Sequence, residues 1–546
     1  MLVPKLVTCL KKYSKDQFIK DFISGIIVAI IALPLSIALA IASGVSPEKG
    51  LYTAIIGGFI VSLLGGSRVQ IGGPTGAFVV IVYGIIQKHG VEGLIIATIM
   101  AGIFLIIMGA LKLGSLIKYI PFSITTGFTT GIAVVIFSTQ IKDLLGLQMQ
   151  SVPSDFISKW IAYIKHMNTI SMTSVSVSLI TLAIIILWPK INKKIPGTFV
   201  AIIVVTLLCS LLKLKVDTIG SEFHNLSSAF PKFTIPNVNL KIINELMMPA
   251  ITIAVLGSVE SLLSAVVADG MIKDKHQSNT ELIAQGIANI FSGVFGGIPV
   301  TGAIARTAAN IKNGGRTPVA GMVHAVSLLF IMMIFMPYVR LIPMASLAAI
   351  LVMVSYNMGD WKAFERILRA PKTDAFIFLI TFVLTIVLDL VQAIGIGIVL
   401  SSLLFMRKMA QLTDVKYMED VSEDEEICEL LNGIENTEDI AVYEINGPFF
   451  FGAASKFVSS MSEISMPPKA LIIKMEKVPF MDATAYQAFK TLYENCSQYG
   501  TNLIIVRLQQ QPFDMLKKYG YMDIIGKENF CDDMESALEK LKKEIA

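Results

Sequence analysis

"GGPTGAF" occupies residues 72–78, and "GGIPVTGAI" occupies residues 296–304. Each runs from a glycine pair through a proline to Thr-Gly-Ala and one apolar residue. The setting makes the recurrence informative. Hydrophobic residues make up 54% of the 546 and charged ones 16%, with a mean hydropathy of +0.69. A soluble domain carries about 25% charged residues, so most of this chain faces lipid. A glycine-rich break is expensive there, because peptide groups in lipid have no water to bond.

Counting spans locates the two breaks. A helix needs about 20 apolar residues to cross a hydrocarbon core of about 30 Å. Segments near that length start around Phe22, Leu51, Leu94, Ile120, Val175, Thr198, Met247, Thr317, Ile342, Ala375 and Val391. Three shorter ones start around Pro74, Leu282 and Gly302. Together they predict an α-helical membrane protein of about fourteen spans. A polar loop from about Lys213 to Leu246 divides the spans seven and seven, giving halves over about 22–213 and 247–411. The transmembrane domain is thus read as 22–411, after an N-terminal segment of 1–21.

Loop charge orients the spans. With the N-terminus inside, the short inner loops hold Arg68, Lys112, Lys118, Lys190, Lys193, Lys194, Lys273, Lys275, Lys312, Arg316, Lys362, Arg366, Arg369 and Lys372. The short outer loops hold only Lys49, Lys88 and Arg340. This positive-inside bias places both termini in the cytoplasm, and no cleavable signal peptide is expected.

Against that frame the helices after the two breaks are too short. From Pro74 to Gln87 a helix rises about 21 Å, and from Gly302 to Lys312 about 16 Å. The glycine-rich residues before each are expected to cover the remaining depth as irregular backbone, inside protein or against a wet cavity. Thr-Gly-Ala alone recurs by chance in membrane helices. The added Gly-Gly, the proline and the equivalent position in each half point instead to an inverted repeat. Two half-helices then aim unsatisfied amides and positive dipole ends at one place, which makes an anion site of backbone.

Two charges belong with it. Glu260 lies midway along "ITIAVLGSVESLLSAVVAD", where a carboxylate costs several kcal/mol unless paired, wetted or protonated. A group that takes up and releases a proton suits that position, as does a structural ion pair between helices. Ser264 follows one turn on, on the same face. Arg306 falls one turn into the second half-helix, and its forked guanidinium suits oxoanions, unless it serves only to neutralise Glu260. Tyr83 and Gln87 follow on the first half-helix, and no pattern places them. Asp269 and Asp389 lie near span ends, where capping or solvation accounts for them.

Other classes are excluded. A net charge of +4 without a basic, aromatic-laced patch gives no nucleic-acid partner. Five scattered cysteines (Cys9, Cys209, Cys428, Cys496, Cys531) and five histidines show no ligand spacing, so no metal or other cofactor is expected. No GxxxxGK[ST] loop provides for ATP. After an acidic linker over 412–437, residues 438–546 alternate β and α, with Asp482 expected as a helix N-cap. No nucleophile elbow with a partner histidine appears, so the chain is not read as an enzyme.

The stretches "SGVSPEKGLYTAIIGGFIVSLLGGSRVQIGGPTGAF", "GSVESLLSAVVADGM" and "GAIARTAANIKNGGRTPVAG" resemble the sulphate permease (SulP) family of anion transporters over nearly the whole chain. The tail resembles that family's STAS domain. The resemblance implies a seven-plus-seven inverted repeat split into core and gate domains, moving like an elevator. It implies a homodimer in a bacterial inner membrane, importing sulphate, bicarbonate or a dicarboxylate with a proton. Sodium coupling, exchange, a nucleobase permease and an anion channel are the alternatives. Carried over by position, the substrate residues are Thr75, Gly76, Ala77, Phe78, Gly302, Ala303, Ile304 and Arg306, and the coupling residues are Glu260 and Ser264. Ile304 offers no hydroxyl to sodium. Leu35 stands where many relatives have glutamine, which puts side-chain selection by the first span in doubt. Ala483 replaces the phosphorylatable serine of related tails, although Thr484 is adjacent. The resemblance leaves room for a cytoplasmic regulator or a nucleotide at the STAS domain.

Overall fold

The computed structural model describes residues 3–545 except 12, 116–120, 150–151, 154, 193–194, 225, 235, 237–238, 389, 418–439, 455–456 and 458–467. It divides into two compact units, Met1–Ile398 and Val399–Ala546.

The first unit is helical. Its N-terminal part comprises α1 (Lys5–Leu10), α2 (Lys15–Ala42), α3 (Pro47–Tyr52), a π turn at Thr53–Gly57, and α4 (Gly58–Leu64). Strand β1 (Gly72–Gly73) and a 3-10 turn at Gly76–Phe78 lead into α5 (Val79–Ala110). The half ends with α6 (Phe122–Leu145), α7 (Phe156–Lys165), α8 (Met172–Ile191), α9 (Gly197–Leu211) and α10 (Ile219–Glu222). The second half starts with α11 (Leu240–Ile272), α12 (Ser278–Val294), β2 (Thr301–Gly302) and α13 (Ile304–Lys312). It continues through α14 (Val319–Val339), α15 (Met344–Met358), α16 (Trp361–Leu368), α17 (Lys372–Val387) and α18 (Leu390–Leu412).

The breaks differ from their sequence reading in one respect. They are not separate irregular stretches: β1 and β2 pair antiparallel with each other, Gly72 opposite Gly302 and Gly73 opposite Thr301. Each break therefore supplies the backbone partners that the other lacks in lipid. The helices begin correspondingly later than Pro74 and Gly302, at Val79 and Ile304. The first half-helix joins the next helix at Gly90, whose φ of 65° and ψ of −166° interrupt α5 without ending it.

Among the described residues, seven helices are long and apolar enough to cross a membrane by length and composition. They are α2, Gly76–Ala110, α6, α8, α11, α14 and Gln392–Leu412. Shorter elements, namely α3–α4, α9, α12, α13, α15 and α17, occupy the positions of the remaining apolar segments. The helices pack in two groups. One gathers α2, α4, α5 and α11 to α14, and the other joins α6 to α15 and α17, and α8 to α9 and α15.

A close seam in the first group, between α5 and α12, is made of glycine. A Cβ on Gly102 would lie 2.5 Å from the Gly286 carbonyl oxygen, and one on Gly286 would lie 2.5 Å from that of Gly102. Gly109 faces Asn279 and Ile283, and Gly293 faces Ile95 and Ile99. Lipid tails are as apolar as side chains, so helices in a membrane gain mainly from close contact, and small residues allow it.

The second unit is a five-stranded sheet, β3 (Asp414–Tyr417), β4 (Ile440–Asn446), β5 (Ala470–Lys474), β6 (Asn502–Val506) and β7 (Phe530–Cys531), in that spatial order. Strand β3 pairs antiparallel with β4, and the others pair in parallel. One face packs on α19 (Ala483–Tyr499), α20 (Gln510–Lys518) and α21 (Tyr521–Ile525); the other packs on α22 (Met534–Ile545). Asp482 caps α19, accepting from the Ala485 amide at 2.8 Å and from Phe451 N–H at 3.1 Å. The expected linker loses its start: Asp414–Tyr417 is an edge strand, held by backbone pairing despite its charge. The rest of the linker from residue 418 lies outside the described residues, as do Lys118, Lys193, Lys194, Asp389 and Cys428. The helix expected from about Ala453 is described at 451–454 and at Phe457.

The glycine seam generates a test. Gly286→Ala is expected to destabilise by about 1–3 kcal/mol through overpacking, and Gly286→Leu to prevent folding. Gly270→Ala, where an added Cβ meets nothing within 4 Å, is expected to be neutral or mildly stabilising. Melting of the purified protein in detergent compares the three.

Candidate functional site

The crossing of β1 and β2 is fixed from one side by α11. Thr301 Oγ1 donates to the Gly257 carbonyl at 2.9 Å, and Gln70 Nε2 donates to Ser261 Oγ at 2.7 Å. Between those anchors sits Glu260, 8% exposed, whose Oε2 accepts from the Thr75 hydroxyl at 2.6 Å. Both breaks are therefore tied to one face of one helix, about a turn of which carries the carboxylate.

Arg306 approaches from α13. Its side chain is 1% exposed, and its Nη2 donates to the Pro74 carbonyl, while Nε and Nη1 have no partner. A buried guanidinium with unmet donors is costly, since desolvation is compensated only by hydrogen bonds and opposite charge. Glu260 does not meet the need: its bond runs to Thr75, beside the Pro74 that Arg306 holds. One dipeptide thus links carboxylate and cation without a direct ion pair. The close approach also explains Gly73, because a Cβ there would fall on the guanidinium. A Cβ on Gly302 would likewise strike the Gln70 side chain.

The helix starts supply the rest of the electrostatics. The first bond of α13 runs from Thr307 N–H to the Ala303 carbonyl at 2.9 Å, so the amides of Ile304, Ala305 and Arg306 have no carbonyl within their helix. Gly76 and Ala77 open the 3-10 turn in the same way. These amides and the guanidinium form a positive site at the two helix starts, suited to a small oxyanion.

Not every residue read from the sequence is assembled there. The Ala303 amide is used, donating to the Ile71 carbonyl at 2.9 Å, so it is no free donor. The Phe78 ring is buried beside Gly257, in the apolar cluster that also holds Leu105, leaving only its backbone near the site. Ile304 is 39% exposed. Ser264 lies a turn beyond Glu260 but bonds Thr307 Oγ1 at 3.3 Å, and Thr307 in turn accepts from Ile71 N–H at 3.1 Å. Ser264 therefore holds α13 against the first break. Leu35 packs in an apolar cluster with α14 residues.

Sequence reading missed three buried polar groups. Glu281 accepts from the amides of Gly66 and Ser67 at 2.8 and 3.1 Å, and from Gln285 and Ser261, thereby fixing the approach to the first break. Asp21, fully buried, accepts from Arg316 N–H at 2.8 Å and from the Thr317 hydroxyl at 2.5 Å, holding the segment that leads into α14. His324 on α14 is fully buried, and neither ring nitrogen has a hydrogen-bond partner. The available signal was polarity inside an apolar helix. Tyr83 and Gln87 do find a place, lining a cavity of about 240 Å³ that reaches Val79 and Val80 just beyond the first helix start.

Comparison with known proteins adds independent findings. A family model described as the sulfate permease family matches residues 18–381, and a STAS domain model matches 433–537. The chain is 41% identical over 524 residues to the putative sulfate transporter YvdB of Bacillus subtilis, covering 96% of this chain and 97% of that one. It is 30% identical over 535 residues to the bicarbonate transporter BicA of Picosynechococcus, covering 95% and 94%. The solved structure of murine Slc26a9, an anion transporter, matches with a TM-score of 0.87 over 99% of this chain and 94% of that one. At 18% identity that last likeness is one of fold.

The Glu260 contact yields a prediction. Thr75→Val removes the donor to a buried carboxylate and is expected to cost about 1–3 kcal/mol, whereas Thr75→Ser preserves the bond. Thermal unfolding of both variants at neutral pH checks it; equal melting temperatures would show that Glu260 does not depend on Thr75.

Proposed function

The chain belongs to the sulfate permease family of anion transporters and carries a STAS domain at its C-terminal end. On that premise we propose that it is a proton-coupled symporter of a small oxyanion, working by elevator-type alternating access. Sulphate, bicarbonate and dicarboxylates make up the substrate class. The observation that carries the reading is Arg306: a buried cation with two nitrogens unbonded, set where two helix starts converge.

In this reading the anion accepts hydrogen bonds from Nε and Nη1 of Arg306 and from the amides at Gly76–Ala77 and Ile304–Arg306. Charge-assisted bonds in a water-poor site both hold and orient it. Glu260 carries the proton. When protonated it leaves the anion one net charge to face, and when ionised it repels the anion across the Pro74–Thr75 dipeptide, so the two cargoes favour each other. Backbone amides select charge and small size rather than a particular side chain. Leu35, packed among apolar neighbours, adds no selectivity.

Movement follows from packing. The helices that hold the crossing and the α6, α8, α9, α15 group are internally well connected and more sparsely joined to each other, which favours sliding of one against the other. The pairing strands β1 and β2 sit at equivalent places in the two halves, each just before the start of a short helix. That equivalence supports an inverted repeat of about fourteen spans, and the loop charges support both termini being cytoplasmic. A bacterial inner-membrane location, a homodimer and a regulatory role for the STAS domain complete the proposal.

Uptake into proteoliposomes, with labelled sulphate, bicarbonate and dicarboxylate under imposed pH or sodium gradients, tests it. Glu260→Gln is expected to abolish pH-driven accumulation. Arg306→Ala is expected to raise KM by roughly 10- to 100-fold, as loss of charged hydrogen bonds implies. Accumulation by Glu260→Gln at the wild-type level would remove the coupling assignment, and uptake driven by sodium alone would replace the proton.

A further inference from the structure

The second unit exposes aromatic rings at one end of its sheet. In the segment after β4, Phe449 and Phe457 are fully buried, whereas Phe451 is 51% exposed. Phe480, in the segment after β5, is 47% exposed. The backbone brings the two segments together: Phe449 N–H donates to the Phe480 carbonyl at 2.8 Å, and Phe449 bridges to Met481 in parallel register. Phe449 and Met481 point into the core, so alternation turns their neighbours Phe450 and Phe480 to the opposite side. The half-buried Phe450 ring packs edge to face on Phe451, with centroids 5.2 Å apart. The carboxylate beside them asks for nothing outside, because Asp482 already accepts from the Ala485 and Phe451 amides.

A single exposed apolar side chain needs no explanation, but a cluster does. Its surroundings are set by α18, whose end, from Val399 on, belongs to the same compact unit. Residues 390–406 carry no charge, and Arg407 and Lys408 then close the apolar run. From Met406 to Ala410 the helix rises about 6 Å. The headgroup layer on each side of the hydrocarbon is about 5–7 Å deep, so Ala410 lies within it. The aromatic segment lies against that turn: a Cβ on Gly452 would sit 2.7 Å from the Ala410 Cβ. Just beyond, Thr413 Oγ1 donates to the Pro448 carbonyl at 2.9 Å. The chain from Pro448 to Gly452 is thus strapped along the helix at the depth of the headgroups.

We infer that Phe451 and Phe480 seat in the headgroup–acyl boundary of the leaflet where α18 ends, making this end of the sheet a lipid-binding surface. Aromatic rings favour that boundary, and the neighbouring Arg407 and Lys408 draw in anionic phosphate groups. On the orientation proposed above, this is the cytoplasmic leaflet. The contact requires that α18 spans the membrane and is independent of which anion is carried.

The test is photolabelling of the full chain in liposomes of phosphatidylethanolamine and phosphatidylglycerol, doped with a phospholipid carrying a diazirine on its first acyl carbons. Mass spectrometry of the peptides reads the label. It is expected on the peptides bearing Phe451 and Phe480, and on the one bearing Phe405, which α18 leaves 61% exposed. Tyr499, 65% exposed at the far end of the sheet where α19 ends, is expected to stay unlabelled. Phe451→Ser combined with Phe480→Ser is expected to lower the label on both segments about fivefold or more. The Phe405 peptide and the melting temperature are expected to stay unchanged, since both rings lie on the surface. Phe451→Trp combined with Phe480→Trp is expected to retain the label. Label on the Phe405 peptide with none on the two aromatic segments overturns the proposal. Label on Tyr499 equal to theirs overturns it too, because capture would then be indifferent to depth.

Discussion

A peptide bond in hydrocarbon must find its partners within the protein, and this chain meets that demand at its centre with two short glycine-rich strands. Gly72–Gly73 and Thr301–Gly302 lie more than two hundred residues apart in sequence, yet each is the other's hydrogen-bond partner. The pairing lets helices begin in the middle of the fold with their first amides unused. It also fixes where those amides point. A longer sheet would leave no room for the helix starts, and an unpaired break would be too costly to bury. Glycine is required for approach as well as for turning: Gly73 lies under the Arg306 guanidinium, and Gly302 under Gln70.

Around that crossing, charge is held by neutral groups. Glu260 is bonded by a threonine and Arg306 by a proline carbonyl, while Glu281 is bonded by two amides, an amide side chain and a serine. A direct pair between Glu260 and Arg306 would satisfy both and leave nothing for a substrate. Routing each through the neighbouring residues Pro74 and Thr75 keeps them coupled but unspent. The structural acids, Glu281 and Asp21, are saturated with donors, whereas Arg306 is not. That difference in hydrogen-bond satisfaction separates scaffold from site more clearly than burial does, since all four are buried.

The interrupted helices, the alternating tail and the two unusual charges were legible because each depends on local properties: segment length, hydropathy and the rarity of charge in apolar runs. What escaped was long-range pairing. Nothing near Gly72 announces Thr301 as its partner, and the Ala303 amide looks free until the Ile71 carbonyl is seen beside it. Ser264 was assigned to Glu260 from helical spacing; Thr307, on another helix, competes for its hydroxyl. Glu281 reads as an ordinary helix acid in "SNTELIAQ", and only the fold brings Gly66 and Ser67 over it.

Gly90 carries a mechanical consequence. It is the non-helical residue between the first half-helix and the remainder of α5, with no loop to take up slack. Beyond it, Gly102 and Gly109 are locked against α12. The helix beyond Gly90 is therefore one body with α12, and the left-handed residue marks where the first half-helix meets that body at a different angle.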